Sequence, residues 1–213
     1  MFVKNQMTQN PFTATPATTV PEALEIMETN GVRHLPVIAA GKLVGVISEG
    51  DVAEAMPSKA TTLSAGELNY LLAKITVGKV MTPNPVWVEP NTLLEQAATL
   101  MRDNKIEMLP VLDNEKLVGV ITESSILDSF IDILGFRNQG TRLTIEATDA
   151  PGVLSQIAAI TAHYGANITH LAVYRGNAET STVVIGLNTF DTEAIEAEMA
   201  AEGFQVLAKL QND

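Results

Sequence analysis

Residues 7–52 recur without a gap as residues 81–126, with about 19 identities in about 46 aligned positions, far more than chance gives over that length. Met7-Thr8-x-Asn10-Pro11 returns as Met81-Thr82-x-Asn84-Pro85, and Leu35-Pro36-Val37 returns as Leu109-Pro110-Val111. The run from Lys42 to Ile47 returns unbroken as Lys116 to Ile121. A single offset relates all three blocks, so a whole folding unit was duplicated and any fold must accommodate it twice.

Each copy has the same local pattern. An extended stretch (Phe12 to Thr15, or Val86 to Glu89) stops at Pro16 or Pro90, because proline biases the residue before it away from helix. Thr18 and Thr92 occupy the expected helix N-cap. Val20, Ala23, Leu24 and Met27 follow at helical spacing, matched by Leu94, Ala97, Ala98 and Met101. A short apolar strand from Leu35 to Ile38, a turn at Ala40-Gly41 and a second strand from Leu43 to Ile47 come next. A helix then starts near Ser48, or near Thr122 in the second copy. A unit this small buries its sheet poorly alone, so the two copies are expected to pair around a pseudo-twofold axis. Between them, Ser64-Ala65-Gly66-Glu67 predicts a capping box opening a connector helix through Lys74.

The pattern changes after a helix-like stretch from Ile126 to Leu134 and a break at Gly135 and Asn138-Gln139-Gly140. Leu143, Ile145 and Ala147 alternate with polar neighbours, as in an amphipathic strand. Asp149 then reads as a cap, with Pro151 in the first turn of a helix that continues through Thr161. Strands over Ile168 to Tyr174 and Thr180 to Leu187 form a predicted hairpin. Asp191 opens a last helix, and Phe204 to Leu210 closes the chain as a strand. The βαββαβ order predicts a ferredoxin-like sandwich, so the fold class is mixed α/β (α+β): a repeat pair followed by a sandwich. The expected domains are residues 1–62, 63–136 (with the connector helix) and 140–213.

Composition narrows function. The net charge of −12 opposes binding to a nucleic-acid backbone, which needs clustered Lys and Arg. The chain has no cysteine, which removes disulfides, thiolate nucleophiles and Cys-based zinc sites. No apolar run approaches a membrane span and no secretory h-region opens the chain, so the expected location is the cytoplasm. No G-x-S-x-G, P-loop, G-x-G-x-x-G or H-E-x-x-H motif is present. His34, His163 and His170 lack metal-ligand spacing, so neither a metal site nor a catalytic centre is expected.

The leading Met-Thr-x-x-Pro, the apolar-Pro-Val strand and Gly45-Val46-Ile47-Ser48-Glu49-Gly50-Asp51 together resemble the CBS domain family over roughly residues 2–135. The connector Glu67-Leu68-Asn69-Tyr70-Leu71-Leu72 resembles the acetoin-utilisation (AcuB-like) group and implies a link to acetoin or acetyl-CoA metabolism. The family resemblance implies an adenosyl ligand such as AMP, ADP or ATP, bound between the copies. Asp51 would accept hydrogen bonds from the ribose hydroxyls, since an ionised carboxylate matches a vicinal diol. Ser48, with Thr122 as its counterpart, would face sugar or phosphate beside a helix start. Phe12, Thr13, Ala14 and Pro36 would flank the base, and Arg33 and His34 would face phosphate. Ser48 and Asp51 are equally the types that cap a helix for backbone reasons alone. In the second copy Ser125 replaces Asp51, and Glu107-Met108 replaces Arg33-His34. One phosphate-tolerant site is therefore expected in the first half, with the second empty or holding an uncharged or cationic adenosyl compound.

Asp149-x-Pro151-Gly152-x-Leu154, followed by Gly165-Ala166-Asn167-Ile168, resembles the ACT domain family over roughly residues 141–211. That resemblance implies an amino acid held by Asp149, Ala150, Gly152, Val153 and Leu154, with Asn167 and Ile168 contributed by a facing domain in a homodimer. The combined expectation is a non-catalytic regulator of an unidentified protein partner. The competing expectation is an interaction module that dimerises and has lost its ligand sites.

Overall fold

The computed structural model describes residues 1–55, 74–175 and 179–212. The connector helix expected from Ser64 lies outside them apart from its last residue. The chain divides into two compact units, Met1–Ile126 and Leu127–Asp213.

The first copy supplies β1 (Thr8–Gln9), α1 (Val20–Asn30), β2 (His34–Ala39), β3 (Lys42–Ser48) and α2 (Glu49–Ala55). The second supplies α3 (Val77–Val80), β4 (Thr82–Pro83), α4 (Leu94–Asn104), β5 (Met108–Asp113) and β6 (Lys116–Thr122). Helix α5 (Glu123–Ile133) follows and carries the chain into the second unit. The β2–β3 and β5–β6 hairpins have the same register one repeat apart, from His34↔Ser48 to Ala39↔Lys42 and from Met108↔Thr122 to Asp113↔Lys116. Their two-residue turns, Ala40-Gly41 and Asn114-Glu115, both take positive φ, as the tight turns that match strand twist require.

Each hairpin takes its third strand from the other copy. Thr8 and Gln9 pair with Val120 and Gly119 of β6, while Thr82 and Pro83 pair with Val46 and Gly45 of β3. The residues ahead of these strands cross over too. Val3 is fully buried with Leu94, Met101, Leu109 and Ile121, and its N–H donates to the Thr92 carbonyl at 2.9 Å. Val77, its counterpart, is fully buried with Val20, Met27, Leu35 and Ile47, and its N–H donates to the Thr18 carbonyl at 2.8 Å. A reciprocal exchange in matching register is what an approximate twofold produces. It also explains the repeated glycine. A Cβ on Gly45 would lie 2.5 Å from Met81 Sδ and 3.0 Å from the Thr82 carbonyl. One on Gly119 would lie 2.8 Å from Met7 Sδ and 2.9 Å from the Thr8 carbonyl.

The helix starts differ from expectation by one residue. Thr19, not Thr18, caps α1: its hydroxyl accepts from Glu22 N–H at 3.4 Å, and the Glu22 carboxylate accepts from Thr19 N–H at 2.8 Å. Thr18 instead accepts from Thr15 N–H at 3.0 Å, and Thr92 from Glu89 N–H at 3.1 Å. Both threonines close the turn that precedes the cap, because Pro16 and Pro90 fold the chain back before the helix can begin.

The second unit contains β7 (Gly140–Thr148), α6 (Val153–His163), β8 (Ile168–Arg175), β9 (Thr180–Leu187), α7 (Glu193–Ala201) and β10 (Gln205–Asn212). The strands form one antiparallel sheet in the order β10-β7-β9-β8, the arrangement of a ferredoxin-like sandwich. Leu143, Ile145 and Ile185 from the sheet meet Ile157 from α6 and Met199 from α7 in a closed core. The expected Asp149 cap is corrected. Gly152, in the left-handed region at φ 95, is the N-cap of α6, so Pro151 precedes the helix. Arg175 Nε donates to Asp149 Oδ2 at 3.1 Å, which draws that carboxylate to the hairpin. The last helix likewise starts at Glu193 behind Thr192, because Asp191 N–H is turned back to the Thr189 hydroxyl at 3.2 Å.

Candidate functional site

Strand β3 ends at Ser48, where the backbone turns into α2. The Asp51 carboxylate accepts through Oδ2 from Ser48 N–H at 2.8 Å and from the Ser48 hydroxyl at 2.7 Å. Ser48 Oγ in turn accepts from Asp51 N–H at 3.2 Å. This reciprocal pair fixes both side chains at the helix start. The next N–H, on Glu49, donates to the Arg33 carbonyl at 3.0 Å. In the second copy Thr122 and Ser125 hydroxyls lie 3.0 Å apart, and Ser125 N–H donates to Thr122 Oγ1 at 3.2 Å. The geometry survives there without the carboxylate.

Beside Ser48 lies a cleft of about 390 Å³ built by both copies. His34, Val46 and Ser48 come from the first. Asn84, Pro85 and Val86 arrive behind the exchanged strand β4, and Asn104, Lys105, Glu107 and Met108 come from the turn between α4 and β5. Lys105 holds a left-handed backbone at φ 55 where the first copy has Gly31 at φ 63. A non-glycine residue there carries a backbone cost of order 1 kcal/mol.

Of the residues expected from sequence to bind nucleotide, Ser48 and His34 line this cleft and Asp51 is bonded to Ser48. Arg33 is exposed and reaches Glu107 at 3.9 Å. Pro36 lies buried within β2, its carbonyl accepting from Ala14 N–H at 3.0 Å, while the Ala14 carbonyl accepts from Ile38 N–H at 2.8 Å. Phe12, Thr13 and Ala14 therefore run along their own copy's sheet. Those four residues and Thr122 are not among the lining residues of the cleft. By the repeat offset, Phe12 and Thr122 match Val86 and Ser48, and so belong to the symmetry-related face. Sequence reasoning passed over Asn84, Val86, Asn104 and Lys105, and set Glu107 and Met108 in the other half. The signal was present in the offset itself, because a twofold brings the residues before one copy's central strand to the other copy's helix start.

Charge in the cleft is mixed. Burial holds the His34 imidazole below its ordinary pKa, opposed by Glu107, with Arg33 pushing further down and Asp51 and Glu49 pushing up. Three carboxylates therefore act on one ring whose burial opposes protonation. Among the described residues, no group of three or more His, Cys, Asp or Glu could hold a metal ion, and no helix is long and apolar enough to cross a membrane.

In the second unit, Ala150, Gly152, Val153 and Leu154 make the turn into α6, with Leu154 exposed. Asp149 is held by Arg175. Asn167 N–H donates to Asn188 Oδ1 at 2.8 Å, and Ile168 begins β8. The residues expected to bind an amino acid thus occupy two separate turns.

The CBS domain family model matches residues 3–58 and 77–132. A putative acetoin utilization protein (AcuB) from Vibrio cholerae is 30% identical, with 64% of this chain and 94% of that chain covered at a TM-score of 0.53. CBSX2 from Arabidopsis thaliana, solved in complex with AMP, is 33% identical over 62% of this chain and 97% of that one, with a TM-score of 0.53. The CBS domain pair of protein MJ0100, in complex with 5'-methylthioadenosine and S-adenosyl-L-methionine, is 27% identical, covers 61% and 95%, and has a TM-score of 0.51.

Proposed function

As a member of the CBS domain family, this chain is, we propose, a non-catalytic regulatory sensor that binds an adenosyl compound between its two repeats. The observation that carries this reading is the hydrogen-bonded Ser48–Asp51 pair at the edge of a cleft built from both copies. All the side-chain hydrogen bonds recorded for Asp51 among the described residues use Oδ2, which leaves Oδ1 lone pairs for the two hydroxyls of a ribose. A ligand there touches both copies at once, so its binding energy can bias how they pack. The AMP complex of CBSX2 and the adenosyl complexes of MJ0100 support the ligand class. The likeness to an AcuB protein supports a link to acetoin or acetyl-CoA metabolism.

Calorimetry on the full chain tests the site. Asp51→Asn keeps a side-chain acceptor for the Ser48 N–H but loses the charge, and is expected to weaken adenosyl binding about tenfold or more. Unchanged affinity in that variant removes Asp51 from the site.

The second unit supports a further reading as an ACT-type domain, with the domains taken as residues 1–62, 63–136 and 140–213. Its βαββαβ order and the Gly152 turn into α6 fit an amino-acid carboxylate at backbone N–H groups, with a second copy of the chain facing it in a cytoplasmic homodimer. A thermal-shift panel of the common amino acids and a light-scattering mass test the two parts. One observation favours the competing interaction-module reading: the Ser48–Asp51 pair is satisfied by its own helix. Absence of any shift with adenosyl compounds and amino acids decides for that alternative.

A further inference from the structure

We propose that a groove on the second repeat docks a basic segment of a partner protein, which seats a Lys or Arg side chain against Trp87 and the carboxylates of Glu89 and Glu95. The groove holds about 610 Å³ and shares no lining residue with the Ser48 cleft, so it stands apart from the adenosyl reading.

Its walls follow from strand and helix periodicity. Val88 is 4% exposed and packs inward with Met101 and Val111. Its neighbours Trp87 and Glu89 therefore turn to the opposite, outer side. On α4, Leu94, Ala97 and Met101 belong to the core, which leaves the i, i+4 pairs Glu95–Thr99 and Gln96–Leu100 along the groove. Val88 and the half-buried Leu100 supply apolar lining. Trp87, the only tryptophan of the chain, remains 48% exposed beside them.

The neutral polar side chains of the lining are used by nearby backbone. Thr92 Oγ1 accepts from Glu89 N–H at 3.1 Å, Gln96 Oε1 accepts from Leu93 N–H at 3.3 Å, and Thr99 Oγ1 donates to the Glu95 carbonyl at 2.8 Å. Among the described residues, the Glu89 and Glu95 carboxylates take part in no hydrogen bond or ion pair. Lys4, whose N–H donates to the Pro90 carbonyl, holds its ammonium over the Phe2 ring, 5.5 Å from the centroid. Two acceptor-only groups beside an open indole face complement a cation, and a half-exposed Trp is the type of residue that anchors protein interfaces. The net charge of −12 sets a second copy of this chain against that complementarity. Folding does not require the arrangement either. The first repeat reaches the same fold with Thr13, Thr15 and Pro21 in place of Trp87, Glu89 and Glu95. It carries Glu22 and Glu25 where the second has Gln96 and Thr99, but Glu22 is committed to the Thr19 cap and no aromatic face stands beside them.

The experiment is a titration of Trp87 emission in the full chain with tri-arginine and tri-lysine peptides, and with triglutamate as the control. A saturable shift with the two basic peptides and none with triglutamate is expected. Glu89→Gln together with Glu95→Gln is expected to weaken binding about tenfold and to flatten its salt dependence. The pair Glu193→Gln and Glu202→Gln, exposed in the second unit, is expected to stay within about twofold of the parent. Trp87→Leu, followed by calorimetry with the same peptides, is expected to weaken binding about tenfold. Thermal melts confirm that the variants fold. Equal losses from the two acid pairs make the attraction a property of net charge and overturn the proposal, as does the lack of a saturable shift. Tetramethylammonium binding as tightly as tri-arginine overturns it in favour of a small cation. A dimer in sedimentation that Trp87→Leu disperses overturns it in favour of a second copy of the chain.

Discussion

The two repeats share much of their buried shell and differ at several positions beside the cleft. Met27 and Met101, Leu35 and Leu109, Val37 and Val111, and Ile47 and Ile121 are paired by the offset, and all are essentially inaccessible to solvent. The glycines under the exchanged strands are also kept. By contrast Asp51 faces Ser125 in the alignment, Arg33-His34 faces Glu107-Met108, and Gly31 faces Lys105. Duplication preserved the packing of a symmetric shell, and the two helix starts then took different chemistry. Symmetry here belongs to the packing of the shell, and asymmetry to the two helix starts.

The shell is the part with the largest expected effects. Gly119→Ala presses a methyl against the Thr8 carbonyl as well as Met7, and is expected to cost about 2 kcal/mol in denaturant unfolding. Gly45→Ala meets mainly the flexible Met81 side chain with the Thr82 carbonyl slightly farther off, so its cost is expected to be somewhat smaller. If both variants unfold like the parent, the exchanged strands are not packed as described.

Acid should reveal the next asymmetry, because the second copy has Met108 where the first has His34. The His34 value in the folded chain lies below the ordinary 6.5, so the unfolded chain takes up the proton first. Stability is expected to decline as pH falls from about 6.5 toward the lower folded value, and to level off beneath it. His34→Gln is expected to remove part of that slope. His170 in the second unit, also held low by burial and by Arg142, supplies another part. A pH profile unchanged by His34→Gln would show that the ring is not desolvated.

The smallest effect should come from the contact that joins the two unlike positions. Arg33 and Glu107 are both largely exposed, and Arg33→Ala is expected to change unfolding stability by less than about 0.5 kcal/mol. A loss of several times that size would mean the pair braces the twofold. Trp87, the single tryptophan, is half-exposed next to the cleft residue Val86. Its fluorescence offers a readout of unfolding in each of these variants.

Much of this fold was legible in the sequence because the informative signals are local. The repeat offset, the Leu-Pro-Val strands, the Ala40-Gly41 turn and the βαββαβ order all emerge from spacing and turn chemistry. What stayed hidden was non-local. Nothing in Met7-Thr8 announces that it pairs with Val120 rather than with its own β3, because both hairpins present the same residues. Asp149 looked like a cap because Arg175, 26 residues away, was not visible as its partner. The site was legible to the same extent: Ser48 and Asp51 are neighbours on one helix start, whereas Glu107 reaches the cleft only through the packing of two copies.

The crossed leading segments have a consequence for ancestry. A lone ancestral unit would have left its own sheet one strand short and its first valine unhoused. It would have been completed by clasping an identical chain, arm over arm. Fusing the two genes converted that embrace into an intramolecular one, with an effective concentration set by the tether and no longer by the cell. Within one chain the two halves can differ at a single position, as Asp51 and Ser125 do, whereas two identical chains cannot be edited separately.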